Sequence, residues 1–351
     1  MNVGIPVGLP MRKWLLIAAI AFVAAECLIR LVEAKQLRYP VSTLSDLVVL
    51  KKGYWTLRPD AAITQIERSG DVTYVINHEG YRGPLPDNAK VGKRIVFLGD
   101  SVTFGLGVDE KDTYARRLEA LLHPAVASVE VANLALFAYG PYEYLSTWRR
   151  LGRLLAPDLV VVQLYMNDFG AKPWDQPAPI DVTAVLSNIT SRLVNLSALV
   201  RRIHQAAHMA FFYWIRPLRR AYYPQSLNDS EPKQTLALLR AARNLDEVDS
   251  IPEIHTLLKE IKASGARVLL IYSPHETQLY KKDYDDIDGI VERAFAGEAD
   301  RYIDPLGTLR SAPNLAVIFR DGLHYDLQGH ALIAQTLAKP IEQLLTGSER
   351  K

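Results

Sequence analysis

Short apolar runs and segments of helical period alternate along most of this chain. The runs at 94–98, 128–136, 159–164 and 267–272 predict strands. Leu-Val-Val-Val-Gln-Leu at 159–164 is apolar at nearly every position, as a strand covered on both faces requires. Between the runs lie amphipathic stretches. In 113–122, Tyr114, Leu118, Leu121 and Leu122 share a face, and Pro124 stops the helix. Segments 142–155 and 254–263 are also helical, the second closed by Gly265. A short apolar run at 315–319 reads as the last strand, and a helix from about 330 to 345 follows it. This alternation predicts an α/β fold, with a parallel sheet and helices on both faces. Ligands then bind beyond the carboxyl ends of the strands. By this reading Ser101, Asn167 and His324 each follow a strand and fall on that edge.

The pattern breaks in three places. Residues 37–93 read as a small β extension, with strands at 54–57 and 72–76, a turn at Asn77-His78-Glu79-Gly80, and a linker marked by Pro84, Pro86, Asp87 and Asn88. The main domain then runs over 94–351. Within it, about 171–250 reads as a helical insertion rich in aromatic and basic residues (Arg201-Arg202, Phe211-Phe212-Tyr213-Trp214, Arg216, Arg219-Arg220, Tyr222-Tyr223). It is expected to pack on the domain and serve as a lid, with contact to a membrane interface as the alternative.

The third break is N-terminal. A tail, 1–13, carries Arg12 and Lys13. An unbroken apolar run follows from Trp14 to Ala25 and continues around Glu26 and Arg30 to Val32. The first part has the length of a signal-peptide h-region, with Val23-Ala24-Ala25 as a cleavage site, and the whole approaches a bilayer span. Residues 14–32 are therefore expected to be a transmembrane anchor, or else a signal segment. Glu26 is the wrong neighbour for a lipoprotein reading of Cys27. Arg12 and Lys13 before the run are balanced by Arg30, Lys35 and Arg38, so charge does not set an orientation.

Composition narrows the chemistry. The 351 residues are 49% hydrophobic, enough for one large domain with additions or for two small domains. A net charge of +2 makes no electrostatic case for nucleic acid. A single cysteine rules out an intrachain disulfide, a cysteine zinc site and a CxxC redox pair.

Two segments more than two hundred residues apart supply the parts of an activated nucleophile. Gly99-Asp100-Ser101 places a serine at a strand end; Asp321-Gly322-Leu323-His324 puts a carboxylate and an imidazole on one turn. A serine hydroxyl needs a base within reach, and the base needs an orienting partner. His324 is the candidate base and Asp321 its orienter. The Ser101 N–H, the Gly140 N–H and the Asn167 amide are candidate oxyanion donors. Each residue also has an ordinary reading: Ser101 as a helix N-cap, Asn167 and Asp168 as turn residues, Asp321-Gly322 as a plain turn. Those readings leave the common order unexplained. Asp304 is the runner-up carboxylate. His324, Asp326 and His330 make an alternative zinc set, which would leave Ser101, Gly140 and Asn167 without a shared purpose. His330 is instead read as structural, and His78, His123, His204, His208, His255 and His275 as ordinary. Neither cofactor nor metal is expected.

Gly99-Asp100-Ser101-Val102-Thr103-Phe104-Gly105, then Gly140, then Asn167-Asp168, then Asp321-x-x-His324 resemble the four ordered blocks of the SGNH (GDSL-type) hydrolases. The resemblance implies a flavodoxin-like α/β/α sandwich and metal-free ester hydrolysis or acyl transfer. It implies Ser101, Gly140, Asn167 and His324 as the defining quartet, with Asp321 in the triad. Tyr165 stands where the third block usually has glycine, so a different local loop shape is expected. The segment Asn77-His78-Glu79-Gly80-Tyr81-Arg82-Gly83 is similar to one that precedes the first block in many bacterial envelope members. The resulting expectation is an envelope serine esterase that removes acyl groups, acetyl foremost, from a carbohydrate or glycan. Its catalytic domain would be periplasmic or otherwise extracytoplasmic, or secreted after signal cleavage. The alternatives are an O-acyltransferase with the same triad, a lipid esterase, and a non-catalytic glycan-binding or assembly protein.

Overall fold

The computed structural model describes residues 11–36, 44–67, 70–86, 90–123, 125–126, 128–171, 197, 199–200, 203, 229–242, 245–295 and 297–347. The chain divides into two compact units, one formed by 1–42 with 178–210 and the other by 43–177 with 211–351. The basic and aromatic clusters at 201–202 and 211–223 lie outside the described residues.

In the first unit, residues 14–32, expected to be an anchor or a signal segment, lie within one helix, α1 (Met11–Gln36). Among the described residues, no helix is long and apolar enough to cross a membrane. The unbroken apolar run, 14–25, covers twelve residues. At about 1.5 Å per residue that is well short of a hydrocarbon core of about 30 Å. Glu26 and Arg30 then form an i,i+4 ion pair at 2.7 Å. The other Glu26 oxygen accepts hydrogen bonds from Ser197 Oγ (2.8 Å) and the Leu199 N–H (3.0 Å). A carboxylate so engaged has a polar structural role.

The second unit is built on five parallel strands: β5 (Lys93–Leu98), β6 (Val129–Asn133), β7 (Leu159–Leu164), β8 (Arg267–Tyr272) and β9 (Arg301–Ile303), in the spatial order β6-β5-β7-β8-β9. Side chains alternate across the strands, so the apolar runs feed two cores. Val96, Leu98, Val160, Val162, Leu164, Val268 and Leu270 face one layer, packed with α4 (Pro141–Arg150) and α6 (Ile251–Ala263). Ile95, Phe97, Leu159, Val161, Leu269 and Ile271 face the other, packed with α3 (Tyr114–Leu122) and α10 (Leu327–Thr346). Each fully buried aliphatic side chain contributes about 1.5–3 kcal/mol. The α/β class with a central parallel sheet is therefore as expected.

One strand is corrected. Residues 315–319 do not enter the sheet: Leu315–Val317 is a 3-10 turn, and Phe319 makes only a single bridge to Tyr325. The fifth strand is the three-residue β9. Hence His324 follows no strand of the sheet and rides on the loop before α10.

The order of β6, β5, β7, β8 and β9 reverses direction at β5, the switch point where such sheets open a crevice. Residues after β5 and β7 therefore meet there. The N-terminal extension reaches the same place. It consists of two hairpins, β1 (Val48–Lys51) with β2 (Tyr54–Leu57), and β3 (Ala62–Glu67) with β4 (Gly70–Val75). Trp55, Leu57, Ile63, Tyr74, Ile76 and Tyr81 belong to the same core as Val96 and Leu98. Trp55 meets Tyr139 edge-on at 4.9 Å, and the Tyr139 hydroxyl donates to the Trp55 carbonyl.

Candidate active site

Ser101 opens α2 (Ser101–Phe104) directly after β5. Two glycines allow this turn. A Cβ on Gly99 would lie 2.4 Å from Thr103 Oγ1, and Gly105 ends the helix at φ +78°. Asp100 caps the helix by accepting the Val102 N–H at 2.8 Å. Buried Arg82 holds the other end, donating to the carbonyls of Phe104 (3.0 Å), Gly105 (2.7 Å) and Val108 (2.6 Å).

The second segment meets the first. Asp321 Oδ1 accepts the N–H groups of Gly322 (2.8 Å), Leu323 (3.1 Å) and His324 (2.8 Å), which winds the loop around its own carboxylate. The Glu276 N–H donates to the Gly322 carbonyl at 2.8 Å, and the His275 ring lies against Gly322. His324 Nδ1–H then donates to Asp321 Oδ2 at 2.8 Å. That fixes the tautomer and leaves Nε2 to accept the Ser101 hydroxyl, also at 2.8 Å. Burial raises the Asp321 pKa, but the His324 hydrogen bond and charge, with help from Arg320, pull it well below the usual carboxylate range. Asp321 is thus an anion throughout the neutral range.

The two other expected oxyanion donors are placed less simply. Gly140 is the N-cap of α4, beside Asp168, but its N–H donates to Glu143 Oε2 at 3.0 Å. It must exchange that partner to serve an oxyanion. Asn167 is exposed in the 3-10 turn Met166–Asp168 after β7, and its side chain stabilises the Asp100 carboxylate.

Beneath these groups lie two buried carboxyls. Burial pushes Asp100 up to about 6, against the Val102 N–H, the His324 charge and Asn167. Burial and Asp100 together push Asp168 well above the usual range, although it accepts the Tyr165 N–H (2.8 Å) and the Tyr144 hydroxyl (3.0 Å).

Sequence reasoning missed Glu231. It lies in the first turn of α5 (Ser230–Ala241), which comes from the insertion and packs on the Met166–Asp168 turn. The Tyr165 hydroxyl donates to Glu231 Oε2 at 3.3 Å. Burial raises the Glu231 carboxyl, and it feels the charges of Asp100 and His324. Tyr165, the departure from the usual glycine, was the one signal for a partner here. The Glu143 contact was legible as Gly-Pro-x-Glu, the pattern of a helix start with a reciprocal cap.

The other candidates lie elsewhere. Asp304 Oδ1 accepts the Leu306 N–H, and its charge acts on Asp288, which burial and Asp304 push to about 8. Asp326 caps α10 through the Leu327 N–H at 2.7 Å. His330 is buried, accepts the Tyr114 N–H at Nδ1 (3.1 Å), and stacks on the Tyr114 ring.

Residues 97–244 match the model of the GDSL-like lipase/acylhydrolase family. No curated protein matches the chain in sequence. Among solved structures, similarity is found to TesA (15% identity, 72% of this chain and 100% of that one, TM-score 0.43). It is also found to a lipase/acylhydrolase from Enterococcus faecalis (14%, 74% and 100%, 0.44) and to Axe2, an acetylxylan esterase from Geobacillus stearothermophilus (15%, 72% and 96%, 0.40).

Proposed function

We propose, for a chain that carries a GDSL-like lipase/acylhydrolase domain and is an enzyme of the ester-hydrolase class, that Ser101 is its nucleophile, His324 its general base and Asp321 the orienter of that base. One observation carries the reading: a relay of two 2.8 Å hydrogen bonds, Ser101 to His324 to Asp321, joins residues 223 positions apart. His324 Nε2 takes the Ser101 proton as Oγ attacks the ester carbonyl. The tetrahedral oxyanion is held by the Ser101 N–H, by Asn167, and by the Gly140 N–H once Glu143 releases it. The imidazolium returns its proton to the departing alcohol, leaving an acyl-Ser101. Water, activated by the same histidine, then releases the acid.

The acyl group in this reading is acetyl and the alcohol a carbohydrate or envelope glycan, as the resemblance of the four blocks and of residues 77–83 implies. The run 14–25, with the length of a signal-peptide core, supports an extracytoplasmic site in a bacterial envelope. A second reading, O-acyl transfer, is favoured by α5, since an insertion helix that packs on the Asn167 turn can restrict water at the acyl-enzyme. Turnover of an aryl acetate with and without an oligosaccharide acceptor separates the two. A hydrolase gives free acetate at a rate the acceptor does not change. A transferase gives acetylated sugar and accelerates with acceptor. Turnover undiminished in Ser101→Ala overturns both.

A further inference from the structure

We infer that Arg320 and Glu67 form a positioning pair through which the N-terminal hairpin β3–β4 sets how far the Asp321 carboxylate is offset before it meets His324, and hence the working pH of the triad. The inference rests on the reading of Ser101, His324 and Asp321 given above.

Arg320 immediately precedes Asp321 in the loop that carries His324. Its guanidinium bonds Glu67 Oε2 at 2.7 Å and lies 3.7 Å from Asp321 Oδ2, the oxygen that receives His324 Nδ1–H. Both side chains of the Arg320–Glu67 pair are mostly shielded, at 15% and 12% exposure, so solvent screens them little. The pair is built into the fold from two directions. A Cβ on Gly107 would lie 1.6 Å from Arg320 Nη1, so the guanidinium rests directly on that backbone, at a φ of +90° that favours glycine. The Gly107 N–H donates to the Tyr74 hydroxyl at 2.8 Å, and that hydroxyl donates to Glu67 Oε1 at 3.3 Å. The loop after the nucleophile helix, the hairpin and the histidine loop are thus tied at one point.

Glu67 has a definite electrostatic consequence. It neutralises a cation that would otherwise compete with His324 for Asp321 Oδ2. Arg320 in turn shields His324 from Glu67. The other charged or titratable groups facing the cluster are Tyr74 of β4, Arg82 behind it, Asp100 below Ser101, Glu231 of α5 and His330 of α10. None of them is itself substituted below, although Tyr74 and Arg82 both feel the charge of Glu67.

Glu67→Gln leaves Arg320 uncompensated. A cationic imidazole is then disfavoured, and the acid limb of the kcat/KM–pH profile moves to lower pH, by about half a unit for a charge at this range. Arg320→Gln does the opposite and moves the limb to higher pH by a similar amount. Both variants also loosen the loop that places His324, and so lower kcat, by about tenfold, more than they change KM. Arg320→Lys keeps the charge and the wild-type limb, and the double variant Glu67→Gln/Arg320→Gln returns the limb to its original position. A merely structural pair would lower activity without opposed shifts. The profiles are measured on the full chain with an aryl acetate, and thermal melting confirms the fold of each variant. If Arg320→Gln does not fold, Glu67→Gln set against Glu67→Asp gives the same comparison, since only the first removes the charge. Opposed shifts, or a shift for Glu67→Gln alone in that second comparison, establish the pair. Unshifted limbs in folded variants overturn it. Loss of activity in Ser101→Ala beside unshifted limbs rejects this pair alone, whereas undiminished activity in Ser101→Ala rejects the triad itself.

Discussion

His324→Ala lowers kcat/KM for a short acyl ester by about 10⁴-fold or more, with the fold unchanged. The expectation follows from the relay. Without the imidazole, no other group among the described residues is placed to accept the Ser101 proton, because the neighbouring carboxylate, Asp321, reaches Ser101 only through His324. Asp321→Asn gives a loss of comparable order, by favouring the wrong tautomer. Asp304→Asn, the runner-up carboxylate, leaves kcat/KM within about twofold, because its side chain serves the turn at Leu306 and the Asp288 pair. Steady-state rates on these three proteins, with melting curves, check the assignment. A comparable loss for Asp304→Asn would contradict it.

Between pH 7 and pH 4 the wild-type protein loses about 3 kcal/mol more unfolding free energy than His330→Asn does. Burial drives His330 down to about 3, with Arg82 and Arg117 acting in the same direction, while it accepts the Tyr114 N–H in neutral form. An unfolded histidine titrates near 6.5. The contribution of His330 is therefore complete above that pH and is lost as pH falls towards 3, because only the unfolded chain takes up the proton. Asp100 and Asp168 act with the opposite sign. Their raised folded values favour the fold at low pH, and that contribution is lost as pH rises through the carboxylate range towards about 6 for Asp100. Their share is common to both proteins and cancels in the difference. Urea unfolding at the two pH values measures it, and equal pH dependence in the two proteins would show that His330 is not held neutral.

The core of the sheet was legible because β5, β7 and β8 are buried on both faces and so must be apolar at nearly every position. The edge strand was not. Arg301–Ile303 is too short and too exposed to carry a pattern, while the apolar run at 315–319 earns its burial in a 3-10 turn under the histidine loop. At the site, the order of Ser101, Gly140, Asn167 and the Asp321-to-His324 turn could be read, since each occupies a loop whose place in an α/β sheet is dictated by connectivity. Apart from the local cap of Gly140 by Glu143, what each group touches could not. Tyr165 reaches a residue of the insertion, and Arg320 pairs with a glutamate 253 positions away. Such pairings arise from the docking of elements and leave no periodic trace along the chain.

The central claim is that Ser101 is an activated nucleophile, and the most direct measurement is covalent capture. The full chain is incubated with a serine-directed phosphonate at neutral pH, followed by intact mass and peptide mapping, with Ser101→Ala and His324→Ala in parallel. The account predicts one adduct, on Ser101, absent from the first variant and formed far more slowly in the second. No adduct on folded wild-type protein, or one that persists in Ser101→Ala, would contradict it.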